Sequence, residues 1–392
     1  MNILCVGAGF AGATAARLLA EAGHQVLVID KRDHVAGNAY DYVNEHGIRV
    51  HKYGPHLWHT SNDDVQAWAS RFTEWVPYRH KVKALLKNGV YTPLPINRQT
   101  IEDVFQDKFS AWFRDHSADG DDPSKCLHQN FIEQHGQIPT VTGEPENSRQ
   151  HVESSVGKVL CDVFFEPYTK KMWGLSLDQL PASVAARIPT NIETNSDEYF
   201  PKDKHQFLPA EGYTTMVSNI LNHYNIKVQL STSRQDIDQT KFDHVFTTEP
   251  IDTYFNCELG ELQWRSIRMH TVSIALNKAL PASVVNFTND GPYTRVTEWK
   301  QLPAHGENDL YTTLTWEEPC DYRDNDMERY YPVKTTMKDC PVRALYEKYR
   351  EKAESLPNVT FCGRQGLAVY MDMHMAISST MAIVKRFIAA NS

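Results

Sequence analysis

The chain has 392 residues, 41% of them hydrophobic and 23% charged, which is the composition of a globular protein and not of a disordered one. That length exceeds what one hydrophobic core usually serves and predicts about two to three domains. The net charge of -9 argues against a nucleic-acid groove, which needs clustered Lys and Arg, while leaving room for a local basic pocket around a small anion.

In chain order, Ile3 to Val6 is an apolar run with the length of a buried parallel strand. It breaks at Gly7, Gly9 and Gly12 into a helical pattern carrying Ala15, Leu18, Leu19 and Ala22. Gly7 permits a tight turn, Gly9 lets a pyrophosphate approach the backbone, and Gly12 lets the helix pack on the strand. The phosphate charge then sits at the helix N-terminus, beside Phe10 and Ala11. A second β-branched run, 26–29, ends at Asp30, where an acidic residue accepts hydrogen bonds from an adenosine ribose. Strand, Gly turn, helix and acidic residue in this order predict a dinucleotide-binding domain. The stretch 31–40 adds the basic pair Lys31-Arg32 and a turn containing Gly37 and Asn38. It resembles the second phosphate-side motif of FAD proteins of the glutathione-reductase type, which points to FAD over NAD.

Short β-like pieces fill 43–53, and Gly54-Pro55 then stops regular structure ahead of His56, Leu57 and His59. The two histidines, three apart, could both face one side of the turn that follows. No third ligand stands at metal spacing, so they read as flavin contacts or as structural residues, and no metal is expected. Residues 64–72 read as a helix, and 79–86 with 90–94 as a hairpin about Asn88-Gly89. From 100 to about 180 the pattern is helical, with a polar interruption at 115–157 that reads as loops between helices. A helix at 214–221 and strands at 226–230 and 245–248 return the chain to the dinucleotide domain. The segments at 264–276 and around Val284, Tyr293 and Leu310 are strand-rich. Strand 359–362, a turn at 363–366 and helix 373–389 close the chain over the cofactor.

The seven cysteines, Cys5, Cys126, Cys161, Cys257, Cys320, Cys340 and Cys362, are scattered and never spaced C-x-x-C. They predict buried thiols in a reducing cytoplasm, not a zinc site or a disulfide framework. No stretch approaches the ~18 apolar residues of a membrane span, and the first apolar run is too short and unflanked for a signal peptide. The fold class expected is α/β, a Rossmann-like FAD-binding domain (1–78, 207–255 and 351–392). Into it are set a helical subdomain (99–183) and an antiparallel strand-rich domain (79–98, 184–206 with a mobile loop, and 256–350).

Ten separated motifs together resemble one family, the UDP-galactopyranose mutases, and the resemblance covers nearly the whole chain. They include Gly37-Asn38-Ala39-Tyr40, Gly54-Pro55-His56-Leu57-Trp58-His59, Pro95-Ile96-Asn97, Tyr168-Thr169-Lys170-Lys171-Met172-Trp173, Arg187-Ile188-Pro189, Tyr293-Thr294-Arg295, Tyr330-Tyr331-Pro332-Val333, Gly363-Arg364-Gln365-Gly366 and Tyr370-Met371-Asp372-Met373. The resemblance implies a flavoenzyme that interconverts pyranose and furanose forms of a nucleotide-linked sugar without net redox change. UDP-galactose is the substrate it points to, with UDP-N-acetylgalactosamine or dTDP-fucose as alternatives. In that chemistry the reduced flavin N5 attacks the anomeric carbon, so the FAD needs NAD(P)H or another external reductant.

The resemblance also assigns site residues. Arg187 and Arg295 match the two diphosphate arginines, whose planar donors suit phosphate. Arg187 is expected to swing in and Arg295 to be prepositioned. Tyr168 and Trp173 match aromatics lining the nucleotide side, and Tyr199 and Tyr370 match tyrosines bonding the diphosphate. Asp372 matches an acid near the sugar and His59 a histidine near the flavin. Asn97 and Glu298 are expected to shape the sugar pocket. Arg364, Tyr370, Asp372 and Met373 belong to the cofactor-side motifs. Where the family carries Arg-Glu-Tyr-Pro, this chain has Thr315-Trp316-Glu317-Glu318-Pro319. Depending on register, Trp316 or Glu318 replaces the tyrosine. A carboxylate would repel a diphosphate, so Trp316 is expected to face the ligand. A flavin amine oxidase and a non-catalytic flavin-binding partner in polysaccharide assembly are the competing readings, and a homodimer is left open.

Overall fold

The structure, a computed structural model, describes residues 1–116, 127–139, 143–186, 188–333 and 341–391. The first βαβ unit forms where the apolar runs predict it: β1 (Asn2–Val6), α1 (Phe10–Glu21) and β2 (Gln25–Ile29). Short strands β3 (Asp41–Val43), β4 (Arg49–His51) and β5 (Trp58–Thr60) follow. Helix α2 (Asp63–Ala69) starts where the Asn62 side chain accepts from the Val65 amide, and β6 (Trp75–Pro77) comes next. Asn88-Gly89 turns β7 (Val82–Leu85) back into β8 (Tyr91–Leu94), as expected.

The helical region comprises α3 (Arg98–His116), α4 (Leu127–His135), α5 (Ser148–Leu160), α6 (Glu166–Trp173) and α7 (Ala182–Ala185). The stretch 115–157 is therefore not all loop, since it holds α4 and most of α5. Phe131, Ile132, Val152 and Val156 supply one apolar face at helical spacing, buried among Phe109 and Trp112. That narrow stripe outweighs the polar average of the segment.

Strand β9 (His205–Pro209), which alternation did not reveal, leads into α8 (Gly212–Leu221), β10 (Ile226–Gln229), β11 (His244–Thr247) and α9 (Ile251–Tyr254). Strands β12 (Trp264–Ile274), β13 (Val284–Phe287), β14 (Arg295–Glu298), β15 (Thr312–Asp321) and β16 (Tyr331–Pro332) follow. The chain closes with α10 (Pro341–Glu354), β17 (Val359–Phe361), α11 (Gly363–Gly366) and α12 (Met373–Ala390). The turn expected at 363–366 is thus one turn of helix.

Five parallel strands in the order β10-β2-β1-β11-β17 make the Rossmann-like sheet. Ala13, Ala16 and Leu19 of α1, Val217 and Ile220 of α8, and Ile377 and Val384 of α12 bury against Ile3, Cys5, Val26 and Val28. A second sheet has seven strands in the order β16-β12-β15-β14-β13-β7-β8, antiparallel throughout except where β13 runs parallel to β7. The helical region packs on its β7 end, through Val82, Ala84 and Val284. A small sheet, β5-β9-β6, borders the Rossmann-like half. Among the described residues no helix is long and apolar enough to cross a membrane. Cys5, Cys161, Cys320 and Cys362 are buried and free as expected, Cys257 is only half-buried, and Cys126 and Cys340 lie outside the described residues.

Candidate active site

The C-terminal ends of β1, β2, β10, β11 and β17 open onto one cavity of about 460 Å³. In an open parallel sheet this is where ligands bind. Gly7 takes φ +102°, and a Cβ on Gly12 would stand 1.8 Å from the Gly7 carbonyl oxygen, so neither position has room for a side chain. Gly9 differs. Its backbone is extended, and a Cβ there would meet nothing nearer than the Gly37 Cα at 3.6 Å. The folded chain alone does not demand glycine at that position; a ligand lying on the backbone would. No side chain caps α1, so its first-turn amides are left to the cavity that Gly9, Phe10, Ala11 and Gly12 line.

Asp30 holds this end together. Its Oδ2 accepts from the Ala8 amide at 2.7 Å and its Oδ1 from the Arg32 amide at 2.9 Å, while the residue still lines the cavity with Lys31, Gly37 and Asn38. Arg32 bonds Asn38 Oδ1 at 3.0 Å, stacks on Tyr53 and pairs with Glu328. His56, Arg364 and Met373 line the far end. Leu57 does not; it packs into the core beside the Rossmann-like sheet. Tyr370 and Asp372 likewise stand outside the cavity lining. Ser233, Arg234, Thr248, Glu249 and Pro250 line it without having been anticipated. They follow strands β10 and β11, and the rule that ligands sit beyond carboxyl ends of parallel strands was the signal for them.

The turn carrying His56 is fixed from below. Burial keeps the His51 ring neutral, and its Nδ1 accepts the His56 amide at 3.0 Å. Its Nε2–H therefore points at His305 Nε2, 2.9 Å away, whose own Nδ1–H donates to the Pro303 carbonyl at 2.8 Å. His56 donates its Nδ1–H to the Gly54 carbonyl at 2.8 Å. Burial, reinforced by Arg364 and Arg295, pulls its pKa down to about 4, so the ring is neutral and Nε2 carries a lone pair.

Beyond His56 the inner face of the seven-stranded sheet takes over. Arg295 and Glu317 are cross-strand partners on β14 and β15. Arg295 Nε donates to Glu317 Oε1 at 2.7 Å, with the Glu317 side chain only 1% exposed. Burial opposes the Arg295 charge, and Glu317 more than offsets it. Around the pair stand Tyr168, Tyr199 and Tyr331, close enough to act on one another electrostatically. Burial drives the Tyr168 hydroxyl well above its ordinary value. The Trp173 ring meets Tyr331 edge-on at 6.4 Å, Tyr331 stacks with Tyr370 at 6.0 Å, and the Arg364 guanidinium lies over both tyrosines. The Tyr370 hydroxyl donates to Asp372 Oδ1 at 2.8 Å. His59 stacks on Phe200 at 3.8 Å, with Nδ1 2.7 Å from Asp203 Oδ2 and Nε2 3.9 Å from Asp372 Oδ2. His80, buried with its pKa down to about 3, sits under Tyr199 and Phe200.

Four expectations fail here for local reasons. Trp316 does not face the site: side chains alternate along β15, and Trp316 joins Val285, Val296 and Leu314 on the outer face while Glu317 points inward. Glu318, the other candidate, shares the face of Trp316 and accepts from His270 Nε2 at 2.7 Å, while the inward Glu317 is neutralised by Arg295. Asn97 is 1% exposed and spends its side chain on the start of α3, accepting from the Thr100 amide and donating to the Asn195 and Ser196 carbonyls. Glu298 is wholly buried, accepting from the Ala279 and Leu280 amides and the Thr312 hydroxyl. His56 and His59 do not share a turn face, since His59 lies in β5. Arg187 lies outside the described residues. Glu317, Tyr331, Asp203 and His80 are the site residues that went unanticipated.

A family model described as UDP-galactopyranose mutase matches residues 163–370, and one for an NAD(P)-binding Rossmann-like domain matches 5–72. The chain is 33% identical over 392 residues to a probable UDP-galactopyranose mutase of Klebsiella pneumoniae, covering 99% of this chain and 95% of that one. It is 32% identical over 401 residues to the dTDP-fucopyranose mutase of Escherichia coli, covering 100% and 99%. Among solved structures, a reduced UDP-galactopyranose mutase superposes with a TM-score of 0.73 at 16% identity, over 99% of this chain and 96% of that one. A putrescine oxidase reaches 0.53 at 12% identity over 99% of each, a likeness of fold alone.

Proposed function

The chain belongs to the UDP-galactopyranose mutase family, isomerases that exchange pyranose and furanose forms of a nucleotide-linked sugar, and we propose that its substrate is UDP-galactopyranose and its cofactor FAD. The observation that carries this reading is Arg295, paired with the buried Glu317 and ringed by Tyr168, Tyr199 and Tyr331, beyond the His56 end of a dinucleotide cavity. The cavity fits FAD: uncapped amides of α1 for the pyrophosphate, Asp30 for the ribose, and His56, Arg364 and Met373 at the flavin end. Bound and reduced, FAD supplies a nucleophile for the anomeric carbon.

The protein's part is positioning and charge. Arg295 commits Nε to Glu317, which fixes the plane of the guanidinium and aims its remaining N–H groups at a diphosphate leaving the sugar. Arg187 is our second diphosphate cation, on the strength of its motif. Tyr168, Tyr199 and Tyr331 offer hydroxyls to the phosphates, Trp173 a face for the nucleotide, and Asp372 with His59 polar contacts on the sugar side, the Tyr370 hydroxyl being committed to Asp372. An amine oxidase needs an apolar cage, and this cluster of charge and hydroxyls is its opposite. We also assign the protein to the cytoplasm and to cell-surface polysaccharide synthesis.

The test is direct. FAD-loaded protein, reduced with dithionite, is incubated with UDP-galactopyranose and separately with dTDP-fucopyranose, and pyranose and furanose products are resolved by chromatography. UDP-galactofuranose formed faster than the dTDP product, and only by reduced protein, is the expected result. Faster turnover of the dTDP sugar would reassign the substrate.

A further inference from the structure

Exchanging ring forms moves one proton twice. When the bond between the anomeric carbon and one ring oxygen breaks, that oxygen keeps the electron pair and needs a proton. When a second hydroxyl oxygen brings its electron pair to the same carbon, it gives a proton up. The count over a cycle is zero, so a group that lends one proton and recovers it suffices.

A chain of side chains built for such a loan lies beside the arginine cluster. Asp372 begins α12 as its N-cap, yet its carboxylate makes no capping bond to the helix. It turns instead to the Tyr370 hydroxyl at 2.8 Å and toward His59 Nε2, which lies 3.9 Å from its Oδ2. Asp372 is near enough to the His56 ring, at the flavin end of the cavity, to influence its titration. On the other side of His59, Asp203 takes the Nδ1–H at 2.7 Å. Asp203 is itself held: the Gln206 amide donates to the carbonyls of Phe200 and Asp203, at 2.9 and 3.0 Å, and Gln206 is the β9 partner of His59. The Phe200 ring clamps the imidazole from one face at 3.8 Å, nearly parallel. The other titratable groups facing His59 are His374, 5.3 Å between ring centres, and His80.

We propose that Asp203 is a positioning residue for the sugar isomerisation, committing His59 Nδ1–H so that His59 Nε2, through Asp372 and Tyr370, lends a proton to the opening ring oxygen and takes one back from the closing hydroxyl. The forward loan leaves His59 neutral, with Nε2 bare; the return restores the imidazolium. No oxidant or further reactant is required. The inference rests on the pyranose–furanose reading above.

The experiment uses FAD-loaded protein and two readouts. In the oxidised, substrate-free state, at a pH high enough that the ring has given up one of its two protons, ¹⁵N shifts of the His59 ring report which nitrogen keeps the other. Asp203→Asn is expected to abolish the preference for Nδ1–H and to lower kcat on the order of tenfold to 10²-fold, with KM and FAD occupancy little changed. Asp203→Glu, keeping the carboxylate, is expected to restore part of both. Unchanged ring shifts in Asp203→Asn, an unchanged kcat, or a loss confined to KM or FAD occupancy overturns the proposal. If wild-type reduced protein shows no ring exchange at all, the parent reading fails instead.

Discussion

Arg295 and Glu317 illustrate how one pair serves stability and function together. Arg295→Ala removes a charged donor from the leaving diphosphate and should lower kcat/KM by about 10²-fold or more. It also strands a carboxylate that is 1% exposed, at a cost of about 3–5 kcal/mol, so the melting temperature must fall as well. Arg295→Lys should recover much of the stability and little of the rate, because an ammonium lacks the planar fork; steady-state kinetics beside thermal melts separates the two. The glycine turn makes a second residue-scale test. Gly9→Val should fold and lose bound FAD, since a Cβ there meets the fold no nearer than 3.6 Å, whereas Gly12→Val should fail to fold stably. Absorbance of bound flavin against far-ultraviolet melts tells these apart, and full FAD occupancy in Gly9→Val would refute the assignment of the turn. The roles of Gly7 and Gly12 were legible because backbone geometry there is local. Glu317 was not: nothing in Trp316-Glu317-Glu318 says which face of a strand looks inward until its neighbours are known.

At the level of elements, faces decide what is read correctly. Strands β1 and β2 were legible as continuous apolar runs, and α1, α8 and α12 as periodic stripes, because both patterns survive averaging. Helices α4 and α5 were masked by polar outer faces, and β9 by a sequence, His205-Gln206-Phe207-Leu208-Pro209, that neither alternates nor runs apolar, its partners on both sides being supplied only by tertiary structure. The same reasoning makes Trp316→Phe nearly silent in kcat and KM, since its ring sits on the outer face against Val296 and Leu314. Asn97→Ala should cost about 1 kcal/mol through the lost start of α3, with KM preserved. A large rise in KM for Asn97→Ala, measured at a temperature where the variant is fully folded, would return that residue to the sugar pocket.

For the molecule as a whole, buried neutral histidines set the acid limit. His56, His244 and His305 are pulled down to about 4 and His80 to about 3, in each case first by burial. The unfolded chain takes up these protons as pH drops below the ordinary value near 6.5, and the folded chain refuses them. Stability is therefore complete above that value and declines from there toward pH 4. Each group contributes up to about 1.4 kcal/mol per pH unit across the window. Urea midpoints of the FAD-free protein should fall between about pH 7 and pH 5 with m nearly constant, and a flat profile would mean that these rings are not neutral in the fold. A different consequence follows from the strand order β10-β2-β1-β11-β17, with α12 lying on α1. During translation, at roughly 5–20 residues per second, β1 leaves the ribosome long before β17. For roughly 5–20 seconds the nascent chain carries a β11 edge with no partner, and for tens of seconds an α1 whose apolar side lacks its cover. A stop codon anywhere before Val359 should yield a fragment that is degraded, however complete its site residues are, as its half-life in a pulse-chase would show.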